Sequence, residues 1–294
     1  MSANLVAVLF GVVTAVGYGL AAFWGARASK KIGPITALLA IDVLMLATYL
    51  PLYFLLPDAG RPLTSSGVGF AVLGSVLLNT ASILFFKGLA LGPVSIVSPL
   101  SAAYPLVSAL LAVGVFGAHL SPLQLAAIVV IVISVMIANG LFSPKTGGRR
   151  LGRGPLLATI SAVFYGASFS CLAQASQRIG WQTTSLIEFT VLVIVIALSV
   201  PLVRGREVVF GNLGKALTNG FVIIGGLTAV ATIAIFNMGF THEQASGAIL
   251  IAVSACYPII TAGLALKHFK EEIHLAPLVG AAASVAGIVL LSLG

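Results

Sequence analysis

Charged side chains are scarce in this chain: Asp and Glu number 7 and Lys and Arg 15 in 294 residues, 7% in all. A soluble domain carries about 25%, so a water-facing domain has no room here. Cysteine is nearly missing. Cys171 and Cys256 fall inside apolar runs, which excludes a disulfide framework and leaves each thiol a small hydrophobe. The four histidines, His119, His242, His268 and His274, stand in or near the gaps between those runs. His242 and Glu243 begin like a zinc-protease helix, but Ser246 stands where the second His is needed. No metal, no cofactor and no catalysis is expected. A filter sequence or a ring of like polar groups is missing too, which speaks against a channel.

What fills the chain is hydrocarbon: 59% of residues are hydrophobic and the mean hydropathy is +1.15. Ten apolar runs, at about 5–26, 35–56, 66–90, 93–116, 121–142, 154–176, 183–203, 216–240, 245–266 and 274–293, are each long enough to cross a hydrocarbon core of roughly 30 Å. Lipid offers the backbone no hydrogen bonds, so runs of this length without period-2 alternation predict helices. The expected fold is an all-α integral membrane protein. No basic residue precedes the first run, which is therefore expected to be a permanent span and not a cleaved signal.

The net charge of +8 belongs to the loops and not to a nucleic-acid partner. Of the 15 cations, 13 lie in the odd-numbered connections, from Arg27, Lys30 and Lys31 to Lys267 and Lys270, with Lys87 at an edge. The even-numbered connections hold only Arg61 and Arg178. By the positive-inside rule the odd connections are expected in the cytoplasm and both termini on the non-cytoplasmic side of a bacterial-type inner membrane.

The chain repeats itself. Ser101, Ala102, Ala103, Tyr104 and Pro105 match Ser254, Ala255, Cys256, Tyr257 and Pro258 at an offset of 153. Earlier in each half, Ala15, Tyr18, Gly19, Ile32 and Gly33 match Ala162, Tyr165, Gly166, Ile179 and Gly180 at an offset of 147. Each unit holds five spans, and an odd number makes the second enter the membrane from the opposite face. The expected organisation is a first five-helix repeat over 1–143, a basic cytoplasmic linker over 144–153 and a second repeat over 154–294. Two inverted repeats around a central cavity suit a carrier that opens first to one side and then to the other.

The stretch Phe85 to Pro93, the block from Ser98 to Pro105 and the run Ser121, Pro122, Leu123, Gln124 resemble the EamA-type transporters of the drug/metabolite transporter superfamily. The resemblance covers nearly the whole chain. It implies ten helices in two inverted units, a central cavity bounded by the first, third, fourth, sixth, eighth and ninth, and export of metabolites such as amino acids. Two departures stand out: Ala118 replaces a glutamate common at the end of the fourth helix, whereas Glu271 is kept. Asp42 and Glu188 lie where an arginine is frequent.

Within the spans, Ser98, Ser101, Pro105 and Ser108 share one helical face, as do Ser246, Ser254, Tyr257 and Thr261, and Ser75, Asn79, Ser82 and Phe86. Small polar stripes suit close helix packing as well as a cavity wall. The residues expected to touch a small-molecule substrate are Tyr18, Asn79, Ser101, Tyr104, Tyr165, Ser254 and Tyr257. Pro99, Pro105 and Pro258 free carbonyls within their spans and are candidate hinges. Asp42 and Glu188 are the acids well inside spans, open to proton coupling or, near helix starts, to the positive end of the dipole and interfacial water. Lys87 is expected to snorkel. The cavity lacks the cations that a phosphate would require, so an amino acid is favoured over a nucleotide sugar or sugar phosphate. Gly280, Ser284 and Gly287 permit close helix contact within the chain or between chains, leaving the oligomeric state open.

Overall fold

The computed structural model describes residues 3–56, 61–91, 100–138, 153–200, 206–241, 247–257, 259–261, 263–264, 279, 282–283 and 286–290. Pro99, Pro258, Ser98, Ser246, Glu271, Gly280, Ser284, Lys267, Lys270, three of the histidines and most of the basic linker lie outside them. The helices are α1 (Ala3–Ile32), α2 (Pro34–Leu55), α3 (Ser65–Leu91), α4 (Tyr104–Gly114), α5 (Pro122–Ala138), α6 (Arg153–Ile179), α7 (Trp181–Ser199), α8 (Arg206–Leu217), α9 (Gly220–Thr241) and α10 (Gly247–Ser254). Among the described residues no strand occurs. Six helices, α1, α2, α3, α6, α7 and α9, are long and apolar enough to cross a membrane, and α4, α5 and α10 are shorter apolar helices.

Two spans run further than expected. The first extends to Ile32 and the sixth to Ile179, so Lys30, Lys31 and Arg178 ride on last helical turns, where cations meet the negative end of the dipole, and Arg27 stands one turn earlier. What separates α1 from α2 is Gly33 alone, and what separates α6 from α7 is Gly180 alone. Both take left-handed backbones, φ 86° and 81°, with ψ 148° and 157°. That region is essentially restricted to glycine, and these are matching residues of the two repeats.

The eighth span begins at Gly220, not at 216, because residues 206–217 form the separate helix α8. This helix has no expected counterpart: its Val209 and Leu213 pack on Leu39, Ile196 and Val200, and its Ala216 and Leu217 on Ala28, Ala37 and Ala40. It thus closes one end of the bundle between α2 and α7.

The helix contacts obey the two-fold relation of the halves, in which α1 corresponds to α6, α2 to α7 and α3 to α9. The most extensive packing, α3 along α6, has its counterpart in α1 along α9, and α3 on α7 answers α2 on α9. Each half therefore lays its first helix against the third helix of the other. The crossings repeat in detail. A Cβ on Gly19 would stand 2.5 Å from Ile260 and 3.1 Å from the Tyr257 carbonyl; on Gly166 it would stand 2.6 Å from Val107 and 2.7 Å from the Tyr104 carbonyl. Only glycine lets these backbones meet. At the other end Gly287 meets Ile131, so the close approach it permits is one within the chain.

Several hydroxyls inside the bundle are satisfied locally. Thr14, Ser75, Ser134, Thr184, Thr228 and Thr232 donate to the carbonyl four residues back, at 2.6–2.8 Å. Ser121 and Gln124 form a reciprocal capping box at the start of α5 (3.1 and 2.8 Å), with Pro122 at its first position. Gln124 also donates to Asn4 at 3.3 Å, tying that cap to the start of α1.

Candidate functional site

A cavity of about 300 Å³ opens at the centre of the bundle. Its wall brings together Tyr18, Asn79, Ser101, Tyr104, Tyr165 and Tyr257, along with Asp42. Ser254 stands just behind: it donates to the Ile251 carbonyl at 2.8 Å and lies 3.5 Å from the Tyr104 hydroxyl. Glu188 is not in the wall. Sequence patterns missed Ala21, Ala22, Leu38, Leu78, Ser82, Phe169, Leu192 and Ile233, which complete it. Apart from Ser82 these are apolar, and their place is decided by neighbours distant in sequence, so only the Ser75–Asn79–Ser82 stripe signalled any of them.

The four tyrosines form two matching pairs. Tyr18 meets Tyr257 with ring centroids 6.3 Å apart at 71°, and Tyr165 meets Tyr104 at 6.1 Å and 56°. The glycine crossings beside them, Gly19 on the strand of chain at Tyr257 and Gly166 at Tyr104, set those distances. Phe169 stacks on Tyr165 (6.0 Å, 12°) and meets Tyr104 edge-on (5.1 Å). The Tyr165 hydroxyl lies 3.1 Å from that of Ser82, which donates to Leu78 O at 3.0 Å. Ser101 Oγ lies 3.3 Å from Ser161 Oγ.

Asp42 and Glu188 sit deeper than a position near a helix start suggests. They are the ninth residue of α2 and the eighth of α7, and only 3% and 2% of their surfaces are exposed. Neither is left to interfacial water. Asp42 lines the cavity, and its Oδ2 has no hydrogen-bond partner among the described residues. Glu188 turns to α9, where Asn237 donates to its Oε2 at 2.8 Å and to Ser185 Oγ at 3.0 Å. Burial of a carboxylate is costly unless something pairs with it; Glu188 has an amide, Asp42 an open cavity. Lys87 is exposed near the C-terminal end of α3 and is not among the described residues of the wall.

Of the candidate hinges, Pro105 alone is described, and it does not kink a helix interior. It stands in the first turn of α4, where proline is tolerated. The break lies just before it: Ala103 N donates to Leu100 O (3.2 Å) and Leu106 N to Ala103 O (3.1 Å), three residues back rather than four. The second repeat has the same pair of bonds, Cys256 N to Val253 O (3.1 Å) and Ile259 N to Cys256 O (3.0 Å). A tight turn of 3₁₀ type thus precedes each Tyr-Pro position and delivers Tyr104 and Tyr257 to the site.

Helical spans in two intertwined copies around a central cavity define a polytopic membrane protein of the repeat-built transporter class. The sequence profile of the EamA-like transporter family matches residues 5–140 and again residues 152–293, and the chain belongs to that family, within the drug/metabolite transporter superfamily. The two matches establish the duplication independently of the offsets. No curated protein sequence matches the chain. Solved structures share the fold, among them a crystal structure with a TM-score of 0.72 over 98% of this chain and 96% of the other at 16% identity. The family is one of transporters, not enzymes.

Proposed function

We propose that the chain exports small, partly apolar amino acids across a bacterial-type inner membrane by alternating access at the central cavity. The observation that carries this is Asp42: a buried carboxylate whose Oδ2 has no partner among the described residues, in a wall whose described residues include no Lys or Arg. Such a group calls for a ligand's positive charge, which the α-ammonium of an amino acid supplies. Asn79, Ser101 and the hydroxyls of Tyr18 and Tyr257 offer donors to the carboxylate, and Phe169, Leu78, Leu192 and Ile233 take the side chain. A volume of about 300 Å³ is at the bottom of the roughly 300–1,000 Å³ range of ligand pockets, too small for a nucleotide sugar. Without a cation, the wall also has nothing to neutralise phosphate.

The face carrying the α1–α2 turn and α8 is the cytoplasmic one in this reading, since Arg27, Lys31 and Lys215 gather there. Asp42 and Glu188 are the candidates for carrying a proton in exchange. Uptake and counterflow of radiolabelled amino acids in proteoliposomes tests the proposal, with a labelled nucleotide sugar as control and an imposed pH gradient as second variable. Saturable amino-acid flux is expected. Trapping of the nucleotide sugar alone would overturn the substrate class, and flux indifferent to the gradient would remove the coupling role.

A further inference from the structure

A second cavity, of about 250 Å³, lies between α4, α6 and the start of α10. It is built on helices that also bound the central one. On α6, Phe169 faces the central cavity, while Ser170, Gln174 and Gln177, on one helical face, enter the second. Aromatic rings stand between the two: Phe169 lies 5.1 Å from Tyr104 and 5.3 Å from Phe236, which lies 4.7 Å from Phe240. These residues form one buried cluster with Leu250 and Ile251. The bundle therefore holds two chambers separated by an aromatic partition.

The wall of the second chamber is chemically two-sided. Ser170 donates to Gly166 O at 2.9 Å and lies 3.0 Å from Ser108, so Ser108 gives its hydrogen to Ser170 and keeps an acceptor for a ligand's N–H. The amides of Gln174 and Gln177 face the same space. The backbone carbonyls of those same two residues hold guanidinium groups, Arg178 on Gln174 at 3.4 Å and Arg61 on Gln177. Capping the end of α6 is reason enough for an arginine there. Both cations of the even-numbered connections thus hold the backbone carbonyls of α6 beside the second cavity without lining it. Arg178 also lies 4.6 Å above the Phe70 ring, which meets Phe116, a wall residue, at 6.0 Å. Opposite this polar rim, Ala112, Ala118, Ala248 and Ile251 offer hydrocarbon.

We propose that the second chamber is a binding site for small zwitterionic solutes of the amino-acid type, with the carboxylate toward the glutamines, the ammonium at Ser108 and the side chain on the alanines. The inference rests on the amino-acid reading of the central cavity and adds a second station beyond it. A solute crossing the partition would leave one polar wall for another of the same kind.

Saturation binding of tritiated phenylalanine to the purified full-length chain in lipid nanodiscs tests this. Two molecules should bind per chain. Ala112→Trp, which fills the second chamber, should leave one, and Asn79→Leu, which alters the central wall, should leave the other. Gln174→Leu is the gentler variant: removal of one amide contact should weaken the second site about tenfold with the first unmoved. One molecule per chain, lost in Asn79→Leu and insensitive to both Ala112→Trp and Gln174→Leu, would overturn the second site while leaving the central reading intact. No binding to the unaltered chain would overturn both.

Discussion

Asp42 and Phe189 occupy corresponding places in the two repeats, 147 residues apart, and they show how one frame is filled in two ways. Asp42 faces the open cavity. Phe189 is fully buried, meets Tyr49 edge-on at 5.0 Å, and joins Met45, Leu192 and Val230 in a packed cluster. The second repeat does have a carboxylate, Glu188, but one residue earlier, which turns it away from the corresponding place and onto Asn237. Duplication has thus kept what shapes the backbone, namely the glycine turns, the glycine crossings and the Tyr-Pro breaks. The polar groups differ. Symmetry provides the joints, and in the proposed function its violation at Asp42 decides which half holds the charge of a ligand.

Breaking the unequal part should produce the largest effect. Asp42→Asn should lower apparent affinity for a labelled amino acid about 100-fold, as loss of a buried charge pair of roughly 3 kcal/mol demands. Glu188→Gln, its carboxylate engaged inside the protein, should change affinity far less. Equal losses measured in nanodisc binding would mean that the two acids do the same job and the contrast is wrong.

The shared part can be tested by asking whether paired substitutions behave as pairs. Gly19→Ala and Gly166→Ala both thrust a methyl to about 2.6 Å from a β-branched residue of the crossing helix, and each should destabilise by about 1–3 kcal/mol in thermal unfolding. A large loss in one and none in the other would show that the crossings are not equivalent. Gly33→Ala and Gly180→Ala meet no such crowding, since a Cβ there has at most a distant contact with Arg61. Their cost, about 1–3 kcal/mol each, comes from backbone conformation. Serine in place of alanine at either turn should therefore bring no relief.

The smallest effect is expected from Tyr165→Phe. It removes the hydroxyl 3.1 Å from Ser82 while keeping the ring pairs, so stability should fall by only about 1 kcal/mol. Tyr165→Ala, which dissolves the Tyr104 and Phe169 contacts as well, should cost clearly more in the same melt. If the two variants melt alike, the rings contribute nothing and the hydroxyl everything.

Much of this frame was legible in the residues themselves. Ile-Gly and Tyr-Pro at constant offsets marked the turns and the breaks, because glycine and proline carry backbone instructions that survive without tertiary context. Where reading fell short, context was the reason. The cations from Arg27 to Lys31 read as a loop because a charged last turn looks like the end of a helix. Residues 206–217 lay in a polar gap, and nothing local distinguishes a short docked helix from a connection. For Asp42 its span was plain but its face was not; whether it meets water, a partner or a cavity depends on α1, α3 and α7 around it. The apolar members of the wall carry no local mark at all.

A turn of one residue also has a mechanical meaning. With no spare chain at Gly33 or Gly180, α1 cannot slide past α2, nor α6 past α7; each pair can only swing as a bent lever about its glycine. Tyr18 and Asp42 ride on the two arms of one lever, Tyr165 and Glu188 on those of the other. In the transport proposed above, closing the first lever on a solute would therefore be geared to movement at the face where its glycine sits, with the two short breaks ahead of Tyr104 and Tyr257 as further joints.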